Sequence, residues 1–583
     1  MLSLDWRSQT LSQTRLDRGG VNAGDPGLGR FIRRAFAKGM GYSDEDLERP
    51  IIGICNSESE LNHCNSHLGT IAEAVKRGVW QAGGLPMEFP TISIFEIFTE
   101  PTSMLYRNLM AMDAEEMIRG QPLDGVVLLA GCDKTTPAYL MGAASADVPA
   151  LMVTGGPMLS GRWQGHDLGA CTDCRRYWTE YRADAMTEQE MLELEDSLIP
   201  STGHCMVMGT ASTMASMAEA MGMTLPGCAA IPAPYSARLR LAEASGRRIV
   251  EMVREELRPS QLMTKAAFEN AIRVCMALGG STNAVVHLPA IAGRLGIDLP
   301  LELFDQLSRE TPVIANMRPS GKYQMEDLYE AGGIPAIMKE LEPLLDTTAL
   351  TATGKSLGDN LAHVRKAELF RDIVKPLGAA IYPEGGIAIL RGNIAPNGAV
   401  IKHAAATPRL LKHTGRAVVF ASMREVVEAV NDPELDVTPD DILVMQNAGP
   451  IGGPGMPESG FIPIPKKLLQ QGVRDMVRIS DARMSGTAFG TIVLHVAPEA
   501  AVGGPLAAVR TGDMIELDVQ NRKLNLLVSD EEIRERLAHW KRPQQAPAYR
   551  RGYGWLYVNH VLQADKGCDF DFLTAGFGGN TVT

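Results

Sequence analysis

The sequence predicts an α/β protein in two parts. An N-terminal α/β domain with a mainly parallel sheet spans residues 1–380, and a β-rich, barrel-like C-terminal domain spans residues 381–583. Three observations carry this. At 583 residues the chain exceeds what one hydrophobic core serves, since domains run to about 100–200 residues. Through the first two-thirds, short apolar runs alternate with longer helical patterns, which is how strand–helix units with parallel strands are written. Near residue 380 that alternation stops, and short strands spaced by Gly, Pro and Asp turns take over.

In chain order, PIIGIC (50–55), GVVLLA (125–130) and ALMVTGG (150–156) are apolar on both faces and short, as buried parallel strands are. SHLGTIAEAVKRGVWQAG (66–83) and TASTMASMAEAMGM (210–223) have helical spacing. Residues 160–200 are more polar, with MTEQEMLELEDS, and read as a helical excursion on the surface. Residues 343–380 read as a connection. The second part offers strands at GGIAILRGN (385–393), GRAVVFAS (415–422), DDILVMQNAGP (441–450), DMVRISDAR (475–483) and GTIVLHVAP (490–498). A further pair lies in GDMIELDVQNRKLNLLVS (512–529), with Gln520-Asn521 as a hairpin turn. The sequence shows no internal repeat and no long low-complexity tract.

Composition narrows the function. A formal net charge of −13 argues against nucleic-acid or anionic-membrane partners, which need a basic face. An anionic substrate would therefore need local help from a metal, an arginine or a helix N-terminus. The start, MLSLDWRSQTLSQTR, has no apolar signal-peptide core, and the apolar stretch Met206–Leu225 is interrupted by Thr210, Ser212, Ser216 and Glu219. A cytoplasmic location is expected. Nine scattered cysteines suggest reduced thiols and no disulfide framework.

Three strand ends carry unusual chemistry. After PIIGIC comes NSESELNHCNSH with Cys64, and after GVVLLA comes GCDKTTP with Cys132, Asp133 and Lys134. STGHCMVMGTAS puts Cys205 just before a helix. Ligands in open α/β sheets bind beyond the carboxyl ends of the strands, so the three thiols could meet in one crevice. Their wide separation is unlike the local pairs of structural zinc sites. Soft thiolates suit iron–sulfur clusters or zinc, and three ligands leave one coordination place open as a Lewis acid. The plainer alternative is three small buried hydrophobes. The local pair Cys171 and Cys174 lies in the polar excursion without a second pair, and is expected to have no metal role. Asp133 suits a hard cation, yet Lys134 beside it should repel one unless the lysine is ion-paired or modified. In the second part, NAGPIGGPGMPESG (447–460) lacks the Gly-Lys-Ser/Thr of a phosphate loop, and Ser485 in ISDARMSGTAFG is not in a Gly-x-Ser-x-Gly elbow.

GCDKTTP, GGPM (155–158), GTASTMASMAEAMGM (209–223), GGSTNA (279–284), RGNIAPNGAVIK (391–402), GPGMPE (453–458) and VRISDARMSGTAFGTIVLHVAPEAAVGGPLA (477–507) together resemble the dihydroxyacid dehydratase / 6-phosphogluconate dehydratase family. The likeness runs from about residue 30 to 575 and is nearest to the sugar-acid branch, the L-arabinonate and D-xylonate dehydratases. It implies a hydro-lyase acting on a small hydroxy acid. It implies a [2Fe–2S] cluster on Cys64, Cys132 and Cys205, and Mg²⁺ on Glu96, Asp133, Glu458 and a carbamylated Lys134. It implies Ser485 as the base, Thr487 as a substrate-positioning group, and a homodimer or homotetramer. The alternative substrate is a branched 2,3-dihydroxy acid, as in dihydroxyacid dehydratase. FEIFTEPT (95–102) keeps Glu96 but has Ile97 and Glu100 where sugar-acid relatives tend to have Asn and Arg; LNHCN lacks the usual Pro before its Cys, and Cys55 is unusual for its strand. The loss of a polar and a basic group favours a shorter or more apolar acid.

Overall fold

The computed structural model describes residues 26–365, 368–542 and 549–574. Strands β1 (Ile51–Asn56), β2 (Leu85–Pro90), β3 (Gly125–Ala130) and β4 (Ala150–Thr154) form a four-stranded sheet in the order β2-β1-β3-β4, parallel throughout. Every residue of β1, β3 and β4 is buried, which is why these runs are apolar without alternation. β2 was not foreseen, because LPMEFP holds two prolines. It stands at the sheet edge, where a missing backbone N–H is tolerated.

Helices α1 (Pro26–Gly39), α2 (Leu68–Gln81), α3 (Arg107–Gly120) and α4 (Thr135–Ala146) follow in order. The crossing of α2 with the helix Ser236–Glu255 needs glycine on both sides. A Cβ on Gly78 would lie 1.9 Å from the Glu243 carbonyl oxygen, and one on Gly246 2.1 Å from that of Val75. α4 carries almost no polar face and is buried nearly end to end, so it places the GCDK turn at its start with little freedom.

The polar excursion contains a hairpin, β5 (Gly161–Trp163) and β6 (His166–Leu168), and helices α5 (Ala170–Arg182) and α6 (Glu188–Leu198). α6 is mostly exposed, as expected. α5 differs from expectation, because it bridges to the second part of the chain. Thr172 Oγ1 donates to the Thr487 carbonyl at 2.8 Å, Arg182 Nη1 donates to the Ile464 carbonyl at 3.0 Å, and Glu180 pairs with Arg474 at 2.9 Å. Helix α7 (Thr210–Ala220) begins five residues after Cys205 and is entirely buried.

The second part closes an eight-stranded barrel from β7 (Ala388–Gly392), β8 (Ala395–Ile401), β9 (Lys412–Phe420), β10 (Ile442–Met445), β11 (Arg478–Ser480), β12 (Ile492–Ala497), β13 (Met514–Asp518) and β14 (Lys523–Leu526). Its order is β10-β11-β12-β8-β7-β14-β13-β9. β9 to β12 run parallel, and β8 pairs antiparallel with both β7 and β12. β8 escaped sequence reading because Pro396 and Gly398 interrupt it; the ladder register shifts on both of its sides. The β13–β14 turn is where Gln520-Asn521 placed it, with Asn521 Nδ2 donating to the Asp518 carboxylate at 2.8 Å. Among the described residues no helix is long and apolar enough to cross a membrane.

Candidate active site

The GCDK turn leaves the carboxyl end of β3, as ligand-bearing turns of parallel sheets do. Lys134 is fully buried. Its ammonium contacts the Asp133 carboxylate directly and lies 3.7 Å from Glu96 and 3.8 Å from Glu458. Burial opposes the charge on Lys134, but the facing Asp133, Glu96 and Glu458 outweigh it and hold its pKa above the ordinary lysine value. Glu458 opens a short 3-10 turn, Glu458–Gly460, in the connection between β10 and β11, so the barrel supplies one of the three carboxylates. The cluster therefore spans both parts of the chain.

Glu96 is held by its neighbours. Thr102 Oγ1 donates to one of its oxygens at 2.8 Å, the Ser103 backbone N–H donates to the other at 3.0 Å, and the Ser103 hydroxyl donates to that same oxygen. Burial alone would raise its pKa, but Lys134, Arg483 and these donors hold it down to about 2. Glu458 goes the other way, pushed up by burial and by the Glu96 charge.

Arg483 was missed in the sequence. It is fully buried, donates to the Met456 carbonyl at 2.8 Å and to Thr102 Oγ1 at 3.2 Å, and pairs with Glu458 at 3.3 Å. A charged side chain in a buried strand end, two residues before Ser485, was the available signal.

The thiols gather beside this cluster. Cys132 Sγ lies 3.2 Å from Asp133 Oδ1. Cys132 also hydrogen-bonds Cys64, and that contact, burial and the nearby Cys205 push the Cys64 thiol well above its ordinary pKa. Cys205 stands 3.9 Å from Cys171, at the start of α5. Contact with Cys171 and burial push the Cys205 thiol up in turn. The excursion pair is thus not remote from the other thiols, as its sequence setting suggested. Cys55 is a small buried residue of β1 with Thr91 Oγ1 at 3.8 Å.

Ser485 Oγ and Thr487 Oγ1 are 2.8 Å apart, and Arg175 Nη1 donates to Thr487 Oγ1 at 2.9 Å. Thr487 can then donate to Ser485, so the Arg175 charge reaches the serine through one hydroxyl. Arg175 was not singled out in the sequence; its signal was its place one residue after Cys174 in an otherwise surface-like helix. The turn rests on the start of α7. A Cβ on Gly486 would lie 2.6 Å from both the Thr210 backbone nitrogen and Ser281 Oγ, so only glycine allows this approach. Asn283 Nδ2 donates to the Met484 carbonyl at 3.1 Å and to Thr210 Oγ1 at 2.8 Å, which gives the GGSTNA motif a structural task.

Lys402, at the end of β8, is fully buried and sends its ammonium to the Gly486 carbonyl at 3.4 Å. Burial pulls its pKa from 10.5 down to about 7. Between these values the unfolded chain holds a proton that the folded chain lacks, so stability rises with pH across that window. The full penalty is felt below about pH 7. Lys402→Met is therefore expected to raise the Tm clearly near pH 6 and hardly at all near pH 10, each pKa unit being worth about 1.4 kcal/mol. Equal Tm changes at both pH values would contradict this.

Among the described residues, no group of three or more His, Cys, Asp and Glu side chains is set out so that it could hold a single metal ion. The donor chemistry explains this. A two-iron cluster needs no more than two protein thiolates at either iron, and the Cys64 and Cys205 thiols, which resist ionisation here, are what a soft cation relieves. The three carboxylates suit Mg²⁺. With Lys134 as an ammonium among them, they fit that ion only once its charge is removed.

A parallel sheet with thiols and carboxylates at its strand ends, joined by a barrel that brings a carboxylate, an arginine and a serine bonded to a threonine, places the groups of an acid–base enzyme site across both parts of the chain. Residues 49–360 match the dihydroxy-acid/6-phosphogluconate dehydratase N-terminal family, and residues 372–568 match its C-terminal counterpart. The chain belongs to that family, and it is a hydro-lyase. It is 53% identical over 555 residues to the L-arabinonate dehydratase of Rhizobium leguminosarum bv. trifolii (strain WSM2304), covering 95% of each chain. It is 49% identical over 550 residues to the 6-deoxy-6-sulfo-D-gluconate dehydratase of Pseudomonas putida, covering 94% of each. To the dihydroxy-acid dehydratase of Acetivibrio thermocellus (strain ATCC 27405) it is 42% identical over 551 residues, covering 93% of this chain and 98% of the relative.

Proposed function

We propose that this hydro-lyase removes water from a sugar acid, an aldonate such as L-arabinonate or D-xylonate, to give the 2-keto-3-deoxy acid. The observation that carries the reading is the Arg175–Thr487–Ser485 chain, whose serine lies two residues beyond the Arg483 that pairs with Glu458, in a carboxylate cluster gathered round buried Lys134 from both parts of the chain. The greater identity to sugar-acid dehydratases than to the dihydroxy-acid dehydratase supports the aldonate over the branched acid. Ile97, next to Glu96 in the chain, is exposed and lines a cleft of about 1030 Å³ together with Cys174, Arg175 and Phe461.

The proposed cofactors are a [2Fe–2S] cluster held by Cys64, Cys132 and Cys205, and Mg²⁺ held by Glu96, Asp133, Glu458 and a carbamylated Lys134. When bound, they supply Lewis acidity to the leaving hydroxyl and to the carboxylate end of the substrate. The protein's own part is proton transfer and orientation. Ser485 takes the C2 proton as its alkoxide, the form that a donated bond from Thr487, itself tied to Arg175, stabilises, and then passes that proton to the departing C3 hydroxyl, which returns the alkoxide. Arg483 and the Thr102–Ser103 pair fix Glu458 and Glu96 so that the carboxylates keep their places as charge builds. The C2 proton and the C3 hydroxyl leave as water, and the enol ketonises.

Anaerobic turnover of four- to six-carbon aldonates and of 2,3-dihydroxyisovalerate on one preparation tests the substrate. Keto acid from at least one aldonate, formed faster than from dihydroxyisovalerate, is expected. Rapid turnover of dihydroxyisovalerate alone moves the assignment to the branched acid.

A further inference from the structure

We infer that Cys171 is a fourth thiolate for the cluster proposed above, closing in the resting enzyme the iron position that substrate later takes. The inference rests on that cluster reading. Two thiolates bound tetrahedrally to one metal at about 2.3 Å stand about 3.8 Å apart. Cys171 and Cys205 stand 3.9 Å apart without a metal between them.

The placement is fixed by buried anchors and not by a loose loop. Asp173 is buried and accepts from the Gly169 backbone N–H at 2.5 Å and from Arg318 at 2.8 Å. Thr172 is tied to the Thr487 carbonyl at 2.8 Å. These bonds pin the first turn of α5, and Cys171 with it, between Cys205 and the Ser485–Thr487 turn. Cys174, one helical turn on, hydrogen-bonds Cys171 and lines the neighbouring cleft with it.

The chemistry is a ligand exchange in which no electron moves. Cys171 gives up its proton on binding iron; substrate displaces the thiolate, which takes a proton back from solvent. An iron with four thiolate or sulfide neighbours offers oxygen and peroxides no vacant place, so the resting cluster is shielded until substrate arrives.

The test uses the full chain, purified without oxygen, as wild type, Cys171→Ala, Cys171→Ser and Cys174→Ala. Mössbauer spectra of the wild type should show two closely similar iron sites. In Cys171→Ala one site should become distinct, and the visible absorbance should decay in air several-fold faster. The isosteric Cys171→Ser should also lose the similarity of the two sites, which guards against misfolding as the cause. Cys174→Ala should behave as wild type. Identical spectra and decay in wild type and Cys171→Ala overturn the inference, as does a Cys171–Cys174 disulfide in the oxygen-free protein. A wild-type chain that takes up no iron overturns the cluster reading itself, and this inference with it.

Discussion

Ser485→Ala is expected to lower kcat by about 10²–10⁴-fold, the usual loss on removing a general base. Iron and Mg²⁺ contents should stay at wild-type levels, because the side chain lies in a turn over the start of α7, bonded to Thr487 and to none of the carboxylates. Thr487→Val should lower kcat in the same direction by less, since Ser485 remains but loses the donor that links it to Arg175. Near-normal turnover of Ser485→Ala with full metal content would show that another group takes the proton.

Lys134→Met is expected to have the other large effect. In the metal-free protein Asp133, Glu96 and Glu458 lose the cation between them. Arg483 still pairs with Glu458, so the loss is expected near the lower end of the range of about 3–5 kcal/mol for breaking a buried ion pair, measurable by denaturant unfolding. Lys134→Arg keeps the charge and should recover part of that stability. Mg²⁺ uptake separates the two roles of the lysine: an arginine cannot become a carbamate, so both variants should bind little Mg²⁺ and turn over negligibly. A Lys134→Arg protein with wild-type Mg²⁺ content and activity would contradict the assignment of Lys134 as a modified ligand.

The strands and helices of the N-terminal part were legible because burial on both faces leaves nothing but apolar runs, as in GVVLLA and ALMVT. β2 and β8 were not, because proline and glycine mask strands whose hydrogen bonding is relieved at an edge or a bulge. Cys132, Asp133 and Lys134 announced themselves as three reactive side chains in one turn after a strand. Arg175 and Arg483 did not, because each is a single arginine whose partner lies hundreds of residues away or across the domain junction. Sequence spacing separates Cys171 from the other thiols and is blind to α5 bringing its first turn onto Cys205. Lys402 was quoted within a motif, but nothing local told that its ammonium would be buried under the Ser485 turn.

The central claim is that this chain takes a proton from C2 of an aldonate and expels the C3 hydroxyl. The most direct test is NMR of the product formed from an aldonate in D₂O by the anaerobically purified enzyme. A 2-keto-3-deoxy acid carrying deuterium at C3 is predicted, because the enol takes its new hydrogen from solvent when it ketonises. A keto acid with no deuterium at C3, or no keto acid from any aldonate, would contradict the account.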